Sequence, residues 1–316
     1  MEANAKLRAA LIKGDKKLAS QLLTARPWFG KKADLNLIRL PYTDVSDDIH
    51  PLLLWVYKRD LQAVEWALTH GADPNARDDR QPGTSLQAWR VRSNTALLAA
   101  VMTWTIVASE DETCVGIARA LIRAGANPNL SDLNGNTALH RAVLVPASGS
   151  HGALAIRTQL VSLLLGAHAN PNAPDAQENP PLYRLCAFDV IKSETESAHL
   201  DANKLVVDLL LEAGADASTR NKHGRTSLHQ AVGTTDLSTA LYVWQAARLS
   251  VDLPDRFGQS ALHLAAEAGV HKHVAALLNA GASPHLSDAA GKTPLDLARS
   301  GHKTKCVELL ESSRQS

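Results

Sequence analysis

The chain has 316 residues, 45% of them hydrophobic and 21% charged, enough apolar material for a continuous core and too much for a globally disordered polypeptide. With 33 Lys+Arg against 32 Asp+Glu, the formal net charge of +1 excludes long-range steering onto nucleic acid or an anionic membrane surface. Cys114, Cys186 and Cys306 stand far apart without a C-x-x-C spacing, which argues against a disulfide framework and for a reducing compartment. No long apolar run follows the first eight residues, and none elsewhere reaches the roughly 18 residues a membrane span needs. The expected location is the cytoplasm.

In chain order, residues 6–25 predict a polar capping helix pair broken near Gly14, and residues 28–48 show no periodic register. From His50-Pro51-Leu52-Leu53-Leu54 onward, two phrases alternate. One is Gly71-Ala72-Asp73-Pro74-Asn75, repeated as Gly125-Ala126-Asn127-Pro128-Asn129, Gly214-Ala215-Asp216-Ala217-Ser218 and Gly281-Ala282-Ser283-Pro284-His285. The other opens a helix: Asn94-Thr95-Ala96-Leu97, Asn136-Thr137-Ala138-Leu139-His140, Arg225-Thr226-Ser227-Leu228-His229, Gln259-Ser260-Ala261-Leu262-His263 and Lys292-Thr293-Pro294-Leu295-Asp296. Apolar residues at helical spacing, such as Val274, Leu277 and Leu278, lie between them. A last helix is expected over residues 303–313, with the polar face of a terminal cap.

This alternation resembles the ankyrin repeat, a unit of about 33 residues made of a turn and two antiparallel helices. The physical roles fit. Thr or Ser caps the first helix, Pro294 suits its first turn, and the Gly after the second helix supplies a left-handed cap. Small residues such as Ala265 and Ala266 let helices approach, and Asp or Asn after the Gly favours a tight turn. The resemblance implies an all-α, ankyrin-repeat solenoid of about 7–8 helix–turn–helix units with short hairpin-like fingers. The expected division is a capping and linker region at 1–48 and an array at 49–312, in approximate units 49–93, 94–135, 136–178, 179–224, 225–258, 259–291 and 292–312.

Spacing locates the irregularities. Thr226 to Ser260 is 34 residues and Ser260 to Thr293 is 33, whereas Thr95 to Thr137, Thr137 to Pro180 and Pro180 to Thr226 are 42, 43 and 46. The excess falls between the two helices of each long unit, at about 103–112, 145–154 and 188–202, and predicts longer helices joined by polar loops. A separate excess at 77–93 enlarges a finger. His168 and Arg248 stand where the family prefers Gly, leaving those helix ends open, and Pro180-Pro181-Leu182-Tyr183 replaces the usual Thr-Pro-Leu-His.

Chemistry-bearing patterns are sparse. His140, His229 and His263 occupy the family's structural histidine position, where the imidazole bonds backbone of an adjacent turn, and the cluster His263, His271, His273, His285 and His302 lacks four converging ligands. Gly291-Lys292-Thr293 resembles the end of a phosphate loop, but the required earlier glycine is Leu286. Cys186 and Cys306 read as core residues; Cys114, near a helix start, has no base to activate it. No catalytic residue, no metal site and no cofactor are expected.

The expected function is protein binding without catalysis, through a concave face and finger tips. Five of six tryptophans lie in the first third; Trp55 and Trp66 read as core. The enlarged finger carries Arg80, Trp89, Arg90 and Arg92, residue types that dominate interface energetics. The other tips contribute Asn134, Gln177, Lys222, Arg256 and Phe257. The partner expected is another protein, with no nucleic acid and no membrane, and the chain is expected to be a monomer on its own. An adaptor, a scaffold, or an immunity- or antitoxin-like inhibitor all fit; the alternatives are a secreted effector acting on host proteins and an enzyme with its chemistry in the insertions.

Overall fold

In a computed structural model, residues 2–24, 34–41, 48–77, 95–107, 112–144, 151–187, 196–234 and 237–313 are described. They divide into two compact units, Met1–Ala142 with Ser162–Ala169, and Val143–Val161 with Asn170–Ser316.

The first unit opens with α1 (Glu2–Ile12) and α2 (Lys16–Thr24), separated at Gly14, whose φ of 72° makes the turn available to glycine without Cβ strain. Leu7, Ala10, Ala19 and Leu23 form the buried stripe of this pair. The stretch without sequence register contains a short 3-10 turn, Leu35–Leu37, capped by Asp34, and a two-residue antiparallel ladder of β1 (Leu40–Pro41) with β2 (Asp48–Ile49). The repeats follow as α3 (Pro51–Tyr57), α4 (Leu61–Thr69), α5 (Ala96–Val107), α6 (Thr113–Arg123) and α7 (Ala138–Ala142). Pro51 begins α3 where its missing N–H costs nothing, and the His50 ring accepts from Leu52 N at 3.2 Å. Trp55 and Trp66, expected in the core, are only partly buried; they pack edge to face with centroids 5.8 Å apart, and Trp66 Nε1 donates to Ser20 Oγ.

The chain passes between the units after Ala142, after Val161 within α8 (His151–Gly166), and after Ala169. The second unit continues with α9 (Pro181–Ala187), α10 (Glu196–Glu212), α11 (Ser227–Ala231), α12 (Ser238–Ala246), α13 (Ala261–Ala268), α14 (His271–Asn279), α15 (Pro294–Ser300) and α16 (Thr304–Ser312). Helices α8 and α10 run 16 and 17 residues against 9 for α12, α14 and α16, so the extra residues between paired helices do lengthen them. Ala265 and Ala266 are fully buried, which lets α13 lie close against α15. Leu228, Trp244, Leu262, Val274, Leu277 and Leu310 are buried in this core.

Second helices end in the left-handed conformation, at Gly71 and Gly125 in the first unit and at Gly214 and Gly281 in the second. The two ends left open by the sequence close the same way without glycine: His168 has φ 63° and Arg248 φ 54°. Arg248 N donates to Gln245 O and Leu249 N to Trp244 O; His168 N and Ala169 N do the same with Leu165 O and Leu164 O. A side chain there costs about 1 kcal/mol or more, offset in part by the wider unfolded ensemble of glycine. His168→Gly and Arg248→Gly should each raise unfolding stability by roughly 0.5–1 kcal/mol, measured by urea denaturation; a loss of stability at both would contradict the strain.

Candidate protein-binding face

Each finger is built on one acidic or amide side chain. Asp132 Oδ1 in the first unit accepts from Asn134 N and Asn136 N. In the second unit, Asp175 Oδ1 accepts from Gln177 N and Asn179 N, Asn221 Oδ1 from His223 N and Arg225 N, Asp255 Oδ1 from Phe257 N and Gln259 N, and Asp288 Oδ1 from Ala290 N and Lys292 N, all at 2.7–3.1 Å. The backbone closes each turn as well: the Asp or Asn N–H donates to the carbonyl four residues on. Side chains at the two middle positions of each turn are thereby displayed on a backbone with its polar groups satisfied.

Consecutive fingers of the second unit bond to each other. Lys222 N donates to Gln177 O at 3.3 Å and Ala289 N to Phe257 O at 2.9 Å. A Cβ on Gly224 would sit 3.0 Å from Arg256 N, and φ there is 73°, so glycine is required both by conformation and by the close approach of the next finger. Arg220 clamps the same junction, its guanidinium donating to Gly224 O and Pro254 O.

Two further devices join repeats. The His229 ring accepts at Nδ1 from Thr226 N, lies 2.7 Å from the Thr226 hydroxyl, and places Nε2 2.9 Å from Gln259 O in the next finger. His263 repeats this with Ser260 and with Lys292 O at 3.2 Å. Because Nδ1 faces a backbone donor, the ring proton must be on Nε2, where it donates to the carbonyl. The second device is an asparagine that bonds the backbone of the next repeat's glycine turn. Asn172 Nδ2 donates to Gly214 O and its Oδ1 accepts from Asp216 N, each at 2.8 Å; within the first unit Asn36 links to Gly71 O and Asp73 N, and Asn75 to Gly125 O and Asn127 N.

The expected contact residues sort accordingly. Gln177, Lys222, Arg256 and Phe257 are exposed at successive tips of the second unit, and Phe257 is 56% exposed with the Arg256 guanidinium over its ring at 5.4 Å. Arg256 Nη2 also lies 2.7 Å from His223 Nδ1. Asn134 is an exposed tip of the first unit, beside Leu133 at 70% exposure. Arg80, Trp89, Arg90 and Arg92 lie outside the described residues. Sequence reading missed the groove next to the tips: a cavity of about 370 Å³ lined by Arg225, His229, Gln230, Leu264 and Glu267 among others, from the first helices α11 and α13 and the finger bases. Helical spacing from Thr226 and Ser260 was the signal for it.

Four buried groups do not extend the chemistry. Burial pushes the Cys186 thiol up to about 12 and also raises Cys306, so neither is a thiolate at neutral pH. Cys114 is fully buried. Arg157, fully buried on α8, donates through Nη1 to Asn203 Oδ1, and Asn203 Nδ2 continues to Thr239 Oγ1; burial lowers its guanidinium to about 10, leaving it charged. Among the described residues no group of three or more His, Cys, Asp or Glu side chains is placed to hold a metal ion, and no helix is long and apolar enough to cross a membrane.

Burial holds the His229 and His263 imidazoles below the ordinary histidine value, against the opposing pull of the carbonyls of Gln259 and Lys292. The unfolded chain, titrating near ~6.5, then binds protons that the folded chain refuses. Their contribution is fully present above that pH and is lost as pH falls through it towards the lower folded values. The urea midpoint should therefore drop between pH 7.5 and 5.5, with a shallower drop in His229→Gln; equal slopes in the two proteins would contradict this origin.

Family models described as ankyrin repeats in three copies and as the ankyrin repeat match residues 237–315 and 134–176. Over 200 residues the chain is 30% identical to the nuclear factor NF-kappa-B p105 subunit of Gallus gallus, covering 56% of this chain and 18% of that protein. The chain spans less than a fifth of the length of the curated relatives it matches first. Among solved structures, the ankyrin repeat domain of Bcl-3, a member of the IkappaB protein family, superposes with a TM-score of 0.60 at 26% identity, covering 83% of this chain and 97% of that one. A chain from the complex of a Bdellovibrio bacteriovorus predatory endopeptidase with its immunity protein gives 0.50 at 19% identity, covering 70% and 99%, and shares the fold. Alternating Gly-Ala-Asx and Thr-x-Leu-His phrases, left-handed helix ends and bonded fingers thus converge with these matches: the chain carries ankyrin repeats, matched by family models at residues 134–176 and 237–315.

Proposed function

We propose that this chain is a non-enzymatic, cytoplasmic binding module that engages a protein partner through the finger tips and adjoining groove of its second unit. One observation carries the reading. Gln177, Lys222, Arg256 and Phe257 stand exposed on successive finger turns joined by backbone bonds and by the Arg220 guanidinium, and the first helices that follow two of those turns line a groove of about 370 Å³. Such a surface binds without ordering its own backbone, so little of the contact energy is consumed on association. Arg and aromatic side chains at its centre are the types that carry interface energy.

Within this reading, the chain acts as an adaptor, a scaffold or an inhibitor, on its own a monomer. The inhibitor reading draws support from the fold shared with a chain of the endopeptidase–immunity protein complex. Fingers that close over a partner's active site would block it without any chemistry from this chain.

The test is stoichiometric recovery of a partner on the immobilised chain, compared with Arg256→Ala/Phe257→Ala. Loss of a central Arg–aromatic pair should weaken binding by about 2 kcal/mol, some 30-fold. Unchanged affinity in a variant that melts like the parent would place the binding face elsewhere.

A further inference from the structure

At two of the four described finger carboxylates, Asp132 and Asp175, the residue nine positions on lies on the following first helix and neutralises the carboxylate oxygen that the turn leaves over. Arg141 Nη2 reaches Asp132 Oδ2 at 2.7 Å, and Arg184 reaches Asp175 Oδ2 through Nη2 at 2.6 Å and Nε at 2.9 Å. Burial pushes the Asp175 carboxyl up, but the Asn179 and Gln177 N–H groups and the Arg184 guanidinium outweigh it and hold it below its ordinary value. Where the finger residue becomes the amide Asn221, the ninth residue becomes Gln230. There Tyr183 bridges the two, accepting from Asn221 Nδ2 at 2.7 Å and donating to Gln230 Oε1 at 3.2 Å.

At Asp255 and Asp288 the acid is kept and the arginine is not, the ninth residues being Leu264 and Leu297; Gln259 Nε2 stands 3.5 Å from Asp288 Oδ2, and Asp255 differs. The Asp255 side chain is fully buried, and its Oδ2 makes no hydrogen bond. Arg225 Nε stands 3.6 Å away, near enough to offset the charge but too far to bond it, and that side chain is 38% exposed. Leu264 and Arg225 both line the groove, with the exposed Glu267 beside them. A buried carboxylate oxygen without a donor keeps the desolvation penalty of its burial, and a guanidinium supplies a planar pair of donors for it.

We infer that this groove is a socket for an arginine side chain of the protein partner, which passes over Leu264, displaces Arg225 and bonds Asp255 as Arg184 bonds Asp175. The inference rests on the binding reading above and names the chemistry recognised. Arg225 moves outward to solvent, and Glu267 faces the incoming cation at the mouth. Lysine fits less well, since a point charge cannot reproduce the two-nitrogen contact that Arg184 makes with Asp175.

The test titrates N-acetyl-arginine methylamide and its citrulline counterpart into the full chain labelled at leucine methyls and histidine rings. The arginine probe should give saturable shifts at Leu264 and His229, and citrulline, equal in shape but uncharged, at least tenfold weaker ones. Leu264→Arg should supply the missing guanidinium from within, melt above the parent and lose the response; Asp255→Asn should also lose it. Equal responses to arginine and citrulline in the parent would overturn the socket, and this comparison needs no variant to fold. If Leu264→Arg still bound the full-length partner normally while Arg256→Ala/Phe257→Ala did not, the socket would fall and the fingertip reading would stand. If both variants bound normally, the binding face itself would be wrong.

Discussion

His229 and His263 each use both ring nitrogens at once, and the second unit depends on it. One nitrogen terminates the N-terminal donors of its own short helix; the other reaches forward to the backbone of the next finger. Helices of five and eight residues such as α11 and α13 are too short to persist alone. They form because the imidazole satisfies the helix start and fixes the next unit in the same act. At the start of α15 the corresponding residue is Asp296, which accepts from Thr293 N and its hydroxyl and, as a carboxylate, terminates the helix start without a forward donor.

Around these staples the remaining interactions are backbone-directed. Finger turns wind on Asp or Asn, fingers bond tip to tip, and Asn172 holds the Gly214 turn of the next repeat. Each such bond contributes on the order of 1 kcal/mol net, and each fixes spacing between neighbours more than it adds to a core. The consequence for function is a surface whose backbone is set before a partner arrives, leaving side chains free to determine which partner it is.

Much of this was legible in the sequence because repetition exposes roles. The Thr/Ser-x-x-His phrase announced the capped first helices and the backbone-bonding imidazole, and the long Thr137-to-Pro180 and Pro180-to-Thr226 intervals announced the lengthened helices α8 and α10. Other features have no local signature. His168 and Arg248 adopt the left-handed conformation because the helix end demands it, whatever residue stands there. Arg157 reads as a surface charge until the packing of α8, α10 and α12 encloses it. The groove emerges from a difference between repeats, Arg184 against Leu264, which is visible in the letters but acquires meaning only when the buried oxygen of Asp255 is seen without a donor.

Ring nitrogen chemical shifts of His229 and His263 test the staple most directly. With the chain labelled at histidine nitrogen, both rings should be neutral at pH 7 and protonated on Nε2, with Nδ1 bare and accepting. That state should persist below the pH at which exposed histidines charge. A proton on Nδ1 of either ring, or an imidazolium at neutral pH, would contradict the bond to the helix start and the forward bond that depends on it.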